Sequence, residues 1–352
     1  MTVVSGRNPA RTALLLSALL IACVVSVAIA IAVGSEWIPL HDVVSILAGG
    51  HSADPGWDFI VREVRLPRVV TALLAGAALS VAGLQMQTLF RNALADPYVL
   101  GANSGASLGV AVVVMASGAS WAGFTSGLAG GSRTVTVLAA ALGAAVVLGV
   151  VLIMAHWVRN AVVLLLVGVM VGAVTASMVS VLIVYASTPE SVQQFLKWGM
   201  GSFSNTVWSD MWVFIPLVAG TAVLCFATAR SLNALLLGEN YARSMGVDLR
   251  WARTLTLASS ALMTGVVTAY CGPIGFLGLV VPHLTRGLFR SSNHRTLIPG
   301  CVVVGALLAL WCSILSELPG NDHSLPLNAV TAIIGAPIVI TVLVRGRVGG
   351  AV

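Results

Sequence analysis

The side chains that could do chemistry in this chain are few and scattered. Five cysteines, Cys23, Cys225, Cys271, Cys301 and Cys312, lie in or beside apolar runs, with no CxxC spacing and no cysteine–histidine cluster. They read as small buried hydrophobes rather than thiolate ligands or a disulfide framework. His283 follows Pro282 inside apolar sequence. It could relay a proton or hold a ligand, yet no second His, Cys or carboxylate sits at ligand spacing, so a structural donor is the plainer reading. No metal site and no catalytic residue is expected. The sequence holds no GxxxxGK[ST], so an ATP-driven step would need the nucleotide site of another polypeptide.

Other polar residues suggest recognition or a pathway. Arg65 and Arg68 lie three apart around Leu66-Pro67, so they share a helix face. They would either snorkel as interfacial anchors or dock acidic residues of an external partner. Gln85 and Gln87 sit deep in an apolar run and need partners, as interhelical glue or as pore-facing amides. Asn103 and Ser104 lie in a Gly- and Ser-rich stretch that could line a pathway or simply pack closely. Gly272-Pro273 and Pro282-His283 interrupt apolar sequence with prolines and glycines. Helices broken in this way tend to border cavities. Leu237-Gly238-Glu239 through Ala242-Arg243 to Gly246 reads as a compact polar knob, helical stretches ended by glycines.

The elements that carry these residues follow from composition. Of 352 residues 58% are hydrophobic and 9% charged, too little polar surface to cover a water-soluble globule, where about a quarter are charged. The charge-free runs 13–33, 135–155 and 161–187 each exceed the roughly 20 residues that cross a bilayer core. They must be helices, because lipid offers the backbone no hydrogen-bond partner. Alternating strands of a barrel are absent from the pattern. About ten spans are expected, at 12–34, 66–90, 98–117, 134–155, 161–186, 208–229, 252–271, 275–290, 297–316 and 327–345. The first apolar run is long for a signal peptide and reads as a retained span. The chain is thus an all-α integral membrane protein, 1–352 forming a single transmembrane domain.

With both termini in the cytoplasm, 13 basic residues fall inside and 5 outside, so this orientation satisfies the positive-inside rule and its inverse does not. The knob, including 233–247, is then cytoplasmic, and Arg65 and Arg68 are external. An external segment around Pro189-Glu190-Ser191 with Phe195, Trp198 and Phe203 reads as an amphipathic helix at the interface. The basic excess is a topology signal and supplies no clustered face for nucleic acid.

In order and spacing these motifs resemble the FecCD-type permeases of bacterial ATP-driven importers for ferric siderophores, haem and cobalamin. The match runs from Arg65-Leu66-Pro67-Arg68 and Arg91-Asn92-Ala93-Leu94-Ala95-Asp96-Pro97 through the Leu237–Gly246 knob. It continues through Gly272-Pro273-Ile274-Gly275-Phe276, Pro282-His283 and His294-Arg295 to Thr331–Pro337. The resemblance implies the type II ABC importer permease fold in a bacterial inner membrane. It implies a second permease subunit, identical or paralogous, with the pathway at the dimer axis. It also implies two ATPase subunits that hold ATP and Mg, and an external substrate-binding protein. The segment 233–247 would form the coupling helices, Glu239, Arg243 and Gly246 would match the coupling motif, and Arg65 and Arg68 would dock the binding protein. Departures stand at Ala93 for the usual Pro, Asn293 for the usual Asp, and Asn328 where the Glu-Leu-Pro-x-Gly pattern has Gly. The external loop before the last span carries no arginine. A transport subunit that does no chemistry on its cargo follows, with ferric siderophore the first expected cargo and haem or cobalamin the alternative. An ion-gradient carrier would need a carboxylate buried at a span centre; Asp96 is expected at a cytoplasmic turn. An intramembrane enzyme would need a partner for His283.

Overall fold

The computed structural model describes residues 9–34, 36–52, 54–116, 133–158, 161–186, 188–317 and 325–348. Among the described residues every regular element is helical. Seven helices are long and apolar enough to cross a membrane, and the shorter apolar helices Ala102–Met115, Leu277–Phe289 and Leu327–Thr341 fall on the remaining expected positions. We number α1 (Pro9–Ala32), α2 (Leu40–Leu47), α3 (Pro55–Phe59), α4 (Leu66–Leu89), α5 (Ala102–Ala116), α6 (Arg133–Trp157), α7 (Ala161–Ala186) and α8 (Pro189–Gly199). Then follow α9 (Trp208–Ala227), α10 (Ala229–Leu236), α11 (Glu239–Ser244), α12 (Leu249–Cys271), α13 (Leu277–Phe289), α14 (His294–Ser316) and α15 (Leu327–Val348).

Burial sorts the helices into a centre and a ring. The apolar windows of α4, α12 and α14 are 78%, 67% and 67% buried, whereas that of α1 is 17% buried, so α4 forms the axis and α1 presents Leu14, Ile21 and Val24 outward, as lipid contact requires. Close approach at the centre depends on missing side chains. A Cβ on Gly83 would stand 1.8 Å from the Gly278 carbonyl oxygen, and one on Gly76 would stand 2.2 Å from that of Gly305. Small residues facing each other let α4 seat directly on α13 and α14.

Local sequence explains the ends. Asp248 caps α12 by accepting from the Arg250 and Trp251 N–H groups, and Asn293 caps α14 from Arg295. At α8, Thr188 and Ser191 exchange side-chain to backbone hydrogen bonds around Pro189, a reciprocal cap that builds the expected interfacial helix. Pro55–Phe59, the π-turn Ile60–Arg65 and α4 run on as one helix. That extension gives the expected first external loop an ordered end.

One expectation is corrected. Asp96 does not lie at a turn beyond the helix ends. After α4 the chain turns at Arg91, whose φ is 46°, and climbs back into the bundle. A Cβ on Gly278 would meet Pro97 at 2.8 Å and the Leu79 carbonyl at 3.1 Å, so the Asp96-Pro97 segment is level with the middle of α4. The Tyr98 hydroxyl reaches across to accept from the Ile274 N–H at 3.1 Å. This re-entrant piece is why α5 begins only at Ala102. It also places a carboxylate at mid-bundle, the feature whose absence had argued against an ion-gradient carrier.

Candidate functional site

Two regions collect the residues singled out above, one at each end of the bundle. At the first, α10 and α11 form the knob. Gly238 and Gly246 adopt φ of +117° and +78°, a left-handed backbone that glycine takes without steric cost, and they end the two short helices as expected. Ala242 is fully buried, so it packs the knob onto the bundle and does not face a partner. Glu239 accepts from Arg253 on α12 at 2.9 Å, so it braces the knob from behind. Arg243 is exposed and, with Glu239, Arg250 and His156, lines a cleft of about 400 Å³. Leu237, Tyr241 and Met245 are 65%, 53% and 59% exposed. Tyr241 and Met245, four apart, share a face of α11, and Leu237 borders the same shallow hollow as Tyr241 across Gly238, so the three form an apolar stripe that calls for a protein cover.

The knob is anchored by groups that spacing alone did not indicate. Asn233 donates to Asn293 Oδ1 at 3.0 Å, and its Oδ1 accepts from the His294 backbone N–H at 2.9 Å and lies 2.8 Å from His294 Nδ1. His294 Nε2 lies 2.8 Å from Thr88 Oγ1 on α4. Arg91 donates to the Leu235 carbonyl at 2.9 Å, closing the end of α10. Motion of the knob is therefore tied to the end of α4 and the start of α14.

The interior polar residues divide. Gln85 Nε2 donates to Ser259 at 3.0 Å and lies 3.4 Å from Thr228, and Gln87 donates to the Leu279 carbonyl at 3.0 Å and accepts from Arg286 at 2.6 Å. Both amides bond across helices, as interhelical glue does. Pro282 is buried within α13, and His283 is half-buried beside Ala93 with no partner on Nε2. Ser104 lies against Gly172 on α7. Asn103 and Pro273, by contrast, share a cavity of about 600 Å³ with Asp96, Tyr98, Phe276 and Asn328. Gly272 takes φ +72° where a Cβ would stand 2.4 Å from the Trp198 carbonyl, a tight crossing of the α12–α13 loop over the end of α8. A second cavity of about 700 Å³ opens at the end away from the knob, bordered by Arg133, Lys197, Tyr270 and Glu317.

At that same end the structure corrects the reading of Arg65 and Arg68, which are each 3% exposed. Arg65 donates to the carbonyls of Ile31, Ala32 and Glu36 at 2.6, 2.9 and 2.5 Å. Arg68 donates to Ala30 and pairs with Glu317. The two guanidiniums satisfy the open carbonyls at the end of α1, where the helix dipole also favours a cation. Neither snorkels outward, and neither offers its charge to an external partner in this conformation.

A bundle of central and outward-facing apolar helices, with cavities inside it and an exposed knob at one end, defines a polytopic membrane protein. The FecCD transport family model matches residues 19–345. The chain belongs to this family and is the permease subunit of an ABC importer. It is 34% identical over 332 residues to the vitamin B12 import system permease BtuC of Citrobacter koseri, covering 94% of each chain. It is 33% identical to that of Shigella boydii, covering 97% of each. Among solved structures, a metal-chelate type ABC transporter in an inward-facing conformation superposes with a TM-score of 0.81 at 26% identity, covering 94% of this chain and 99% of the other. Family membership, not the placement of Asp96, decides against the ion-gradient carrier.

Proposed function

We propose that this chain carries a corrinoid of the vitamin B12 type across a bacterial inner membrane, as one permease of a pair. The observation that carries this reading is the match, over nearly the full length of both chains, to permeases of vitamin B12 import. The cargo first expected, a ferric siderophore, has weaker support, since the metal-chelate character of the structural neighbour suits a cobalt corrinoid as well as a ferric chelate. In this reading the knob end is cytoplasmic. The Leu237, Tyr241 and Met245 stripe seats in the cleft of an ATPase subunit that supplies ATP and Mg, with Arg243 at its margin. The far end receives cargo from a binding protein. Asn103, Pro273 and Asp96 border the route between the two. Closure of the ATPase pair shifts the knob, and the bundle changes between two packings because packed helices are bistable rather than continuously deformable.

The test is uptake into proteoliposomes that hold the full transporter with its ATPase and binding protein. Labelled cyanocobalamin, a ferric hydroxamate siderophore and haem are offered in parallel. ATP-dependent accumulation of cyanocobalamin is the expected result. Accumulation of the ferric siderophore or of haem without cyanocobalamin overturns the cargo reading.

A further inference from the structure

Asn328 borders the inner cavity, and its neighbour Leu327 borders the outer one. Asn328 opens α15 at the end away from the knob, where the family pattern has a glycine. Its Nδ2 donates to the Pro273 carbonyl at 2.7 Å and to the Gly199 carbonyl at 3.2 Å. Its Oδ1 accepts from the Gly275 N–H at 2.9 Å. Its own backbone N–H donates to Met200 at 3.2 Å. One amide thus joins the end of α8, the loop between α12 and α13, and the start of α15. The same elements also cross closely at Gly272, where a Cβ would stand 2.4 Å from the Trp198 carbonyl. Ser202 N–H on Cys271 O at 2.8 Å is the nearest support.

The position of this junction gives it a consequence. Met200, Gly201 and Leu327 border the outer cavity of about 700 Å³. Gly199, Pro273, Gly275 and Asn328 border the inner cavity of about 600 Å³. Neighbouring residues of the same strands of chain face opposite spaces, so the wall between them is a single layer of backbone held shut by the amide. Glycines make the layer thin: a Cβ on Gly201 would stand 2.7 Å from Pro273 O. A carbonyl-rich edge with one donor in it is poorly held without that donor, because an unpaired buried carbonyl seeks water or a new partner.

We infer that Asn328 is the latch of this protomer's half of the outer gate, holding α8, the 272–276 loop and α15 together at the end away from the knob so that the two cavities stay closed off from each other. The inference rests on the permease reading but not on the identity of the cargo. Opening separates α8 from α15 and exchanges the three side-chain hydrogen bonds for water or cargo amides. Such bonds are individually weak in net terms, which suits a gate that must open under load from a partner.

The assembled transporter tests this with Asn103→Cys as a reporter in the inner cavity, in a Cys23→Ser background, the four other cysteines being buried. A membrane-impermeant thiol reagent is added from the side away from the ATPase, without nucleotide. With Asn328 intact, labelling is slow. Asn328→Ala raises the rate at least about tenfold, as loss of three weak hydrogen bonds implies. Asn328→Asp does the same by setting a carboxylate against the Gly199 and Pro273 carbonyls, and it serves where the alanine variant folds poorly. Ser259→Ala removes a buried interhelical bond to Gln85 away from both cavities and leaves the rate near the starting value. Three results overturn the latch: a reporter already labelled fast with Asn328 in place, an unchanged rate in both Asn328 variants, or an equal rise in Ser259→Ala. Absence of cyanocobalamin uptake beside an Asn328-dependent labelling rate removes the cargo reading and leaves the latch standing.

Discussion

Replacing Arg65 separates two roles that its sequence position leaves open. The guanidinium spans three carbonyls, those of Ile31, Ala32 and Glu36, in a site where the side chain is 3% exposed. A hydrogen bond to a charged group contributes about 1.5–3 kcal/mol net, and three made by one group do not add fully. Arg65→Ala therefore costs roughly 3–5 kcal/mol, a large loss for a single substitution, because the last turn of α1 is left with open carbonyls. Arg65→Lys keeps the charge but has no planar fork to span three acceptors, and roughly half of the loss remains. The assay is paired: thermal unfolding of the transporter in nanodiscs, followed by tryptophan fluorescence, and titration of the folded fraction with its binding protein. The expected outcome is a lowered unfolding midpoint in the order Arg, Lys, Ala, with binding-protein affinity unchanged. An unchanged midpoint together with weakened affinity would refute the capping argument and restore the docking role.

Two further outcomes follow from the geometry. Tyr241→Asp with Leu237→Asp places charge on the exposed stripe of the knob and lowers co-purification of the ATPase subunit by more than tenfold, while the unfolding midpoint stays within about 2 °C; retained ATPase would show that the stripe is not the cover site. Gly83→Val drives a branched side chain into the Gly278 carbonyl, 1.8 Å from the first added carbon, and abolishes accumulation of folded protein in the membrane; normal expression with normal uptake would mean that α4 and α13 separate more easily than their packing implies.

The spans were legible because each is a long apolar run, and the knob because Gly238 and Gly246 break it where left-handed backbone is required. The re-entrant stretch was not. Arg91-Asn92-Ala93-Leu94-Ala95-Asp96-Pro97 has the composition of a water-side turn, and Asp96 does cap a turn, accepting from Tyr98 N–H at 2.8 Å. Nothing local says that the turn lies inside the bundle. Arg65 and Arg68 failed for a related reason. Spacing fixes the helix face they share, but whether that face meets water or the end of α1 depends on residues more than thirty positions earlier. The amides at Gln85 and Gln87 left glue and pore both open, and distances to Ser259, Leu279 and Arg286 decide for glue. Asn328 was visible only as a departure from the family pattern, since its partners lie on three other segments.

The anchors of the knob and the latch at the far end are joined by α4 and α13. Asn233 ties the knob to His294, and His294 meets Thr88. One residue before Thr88, Gln87 bonds Leu279 O and Arg286 on α13. That helix begins beside the loop whose Pro273 and Gly275 bond Asn328. Every cross-link in the series is a hydrogen bond between helices that are otherwise packed through glycines, so the helices can slide as rigid bodies but cannot separate at little cost. A push on the knob would then bear on α13, about 20 Å long at 1.5 Å per residue, and through it on the loop that Asn328 bonds. Proximity alone does not establish such coupling, which requires an element with two arrangements that both ends bias. The loop between α12 and α13 has the makings of one. Gly272 and Phe276 both hold positive φ, +72° and +70°. For Phe276 that is a strained conformation, and its release would accompany loss of the Asn328 bonds to Pro273 and Gly275. On the latch inference, the outer wall is the place where a small shift of packed helices would be converted into opening.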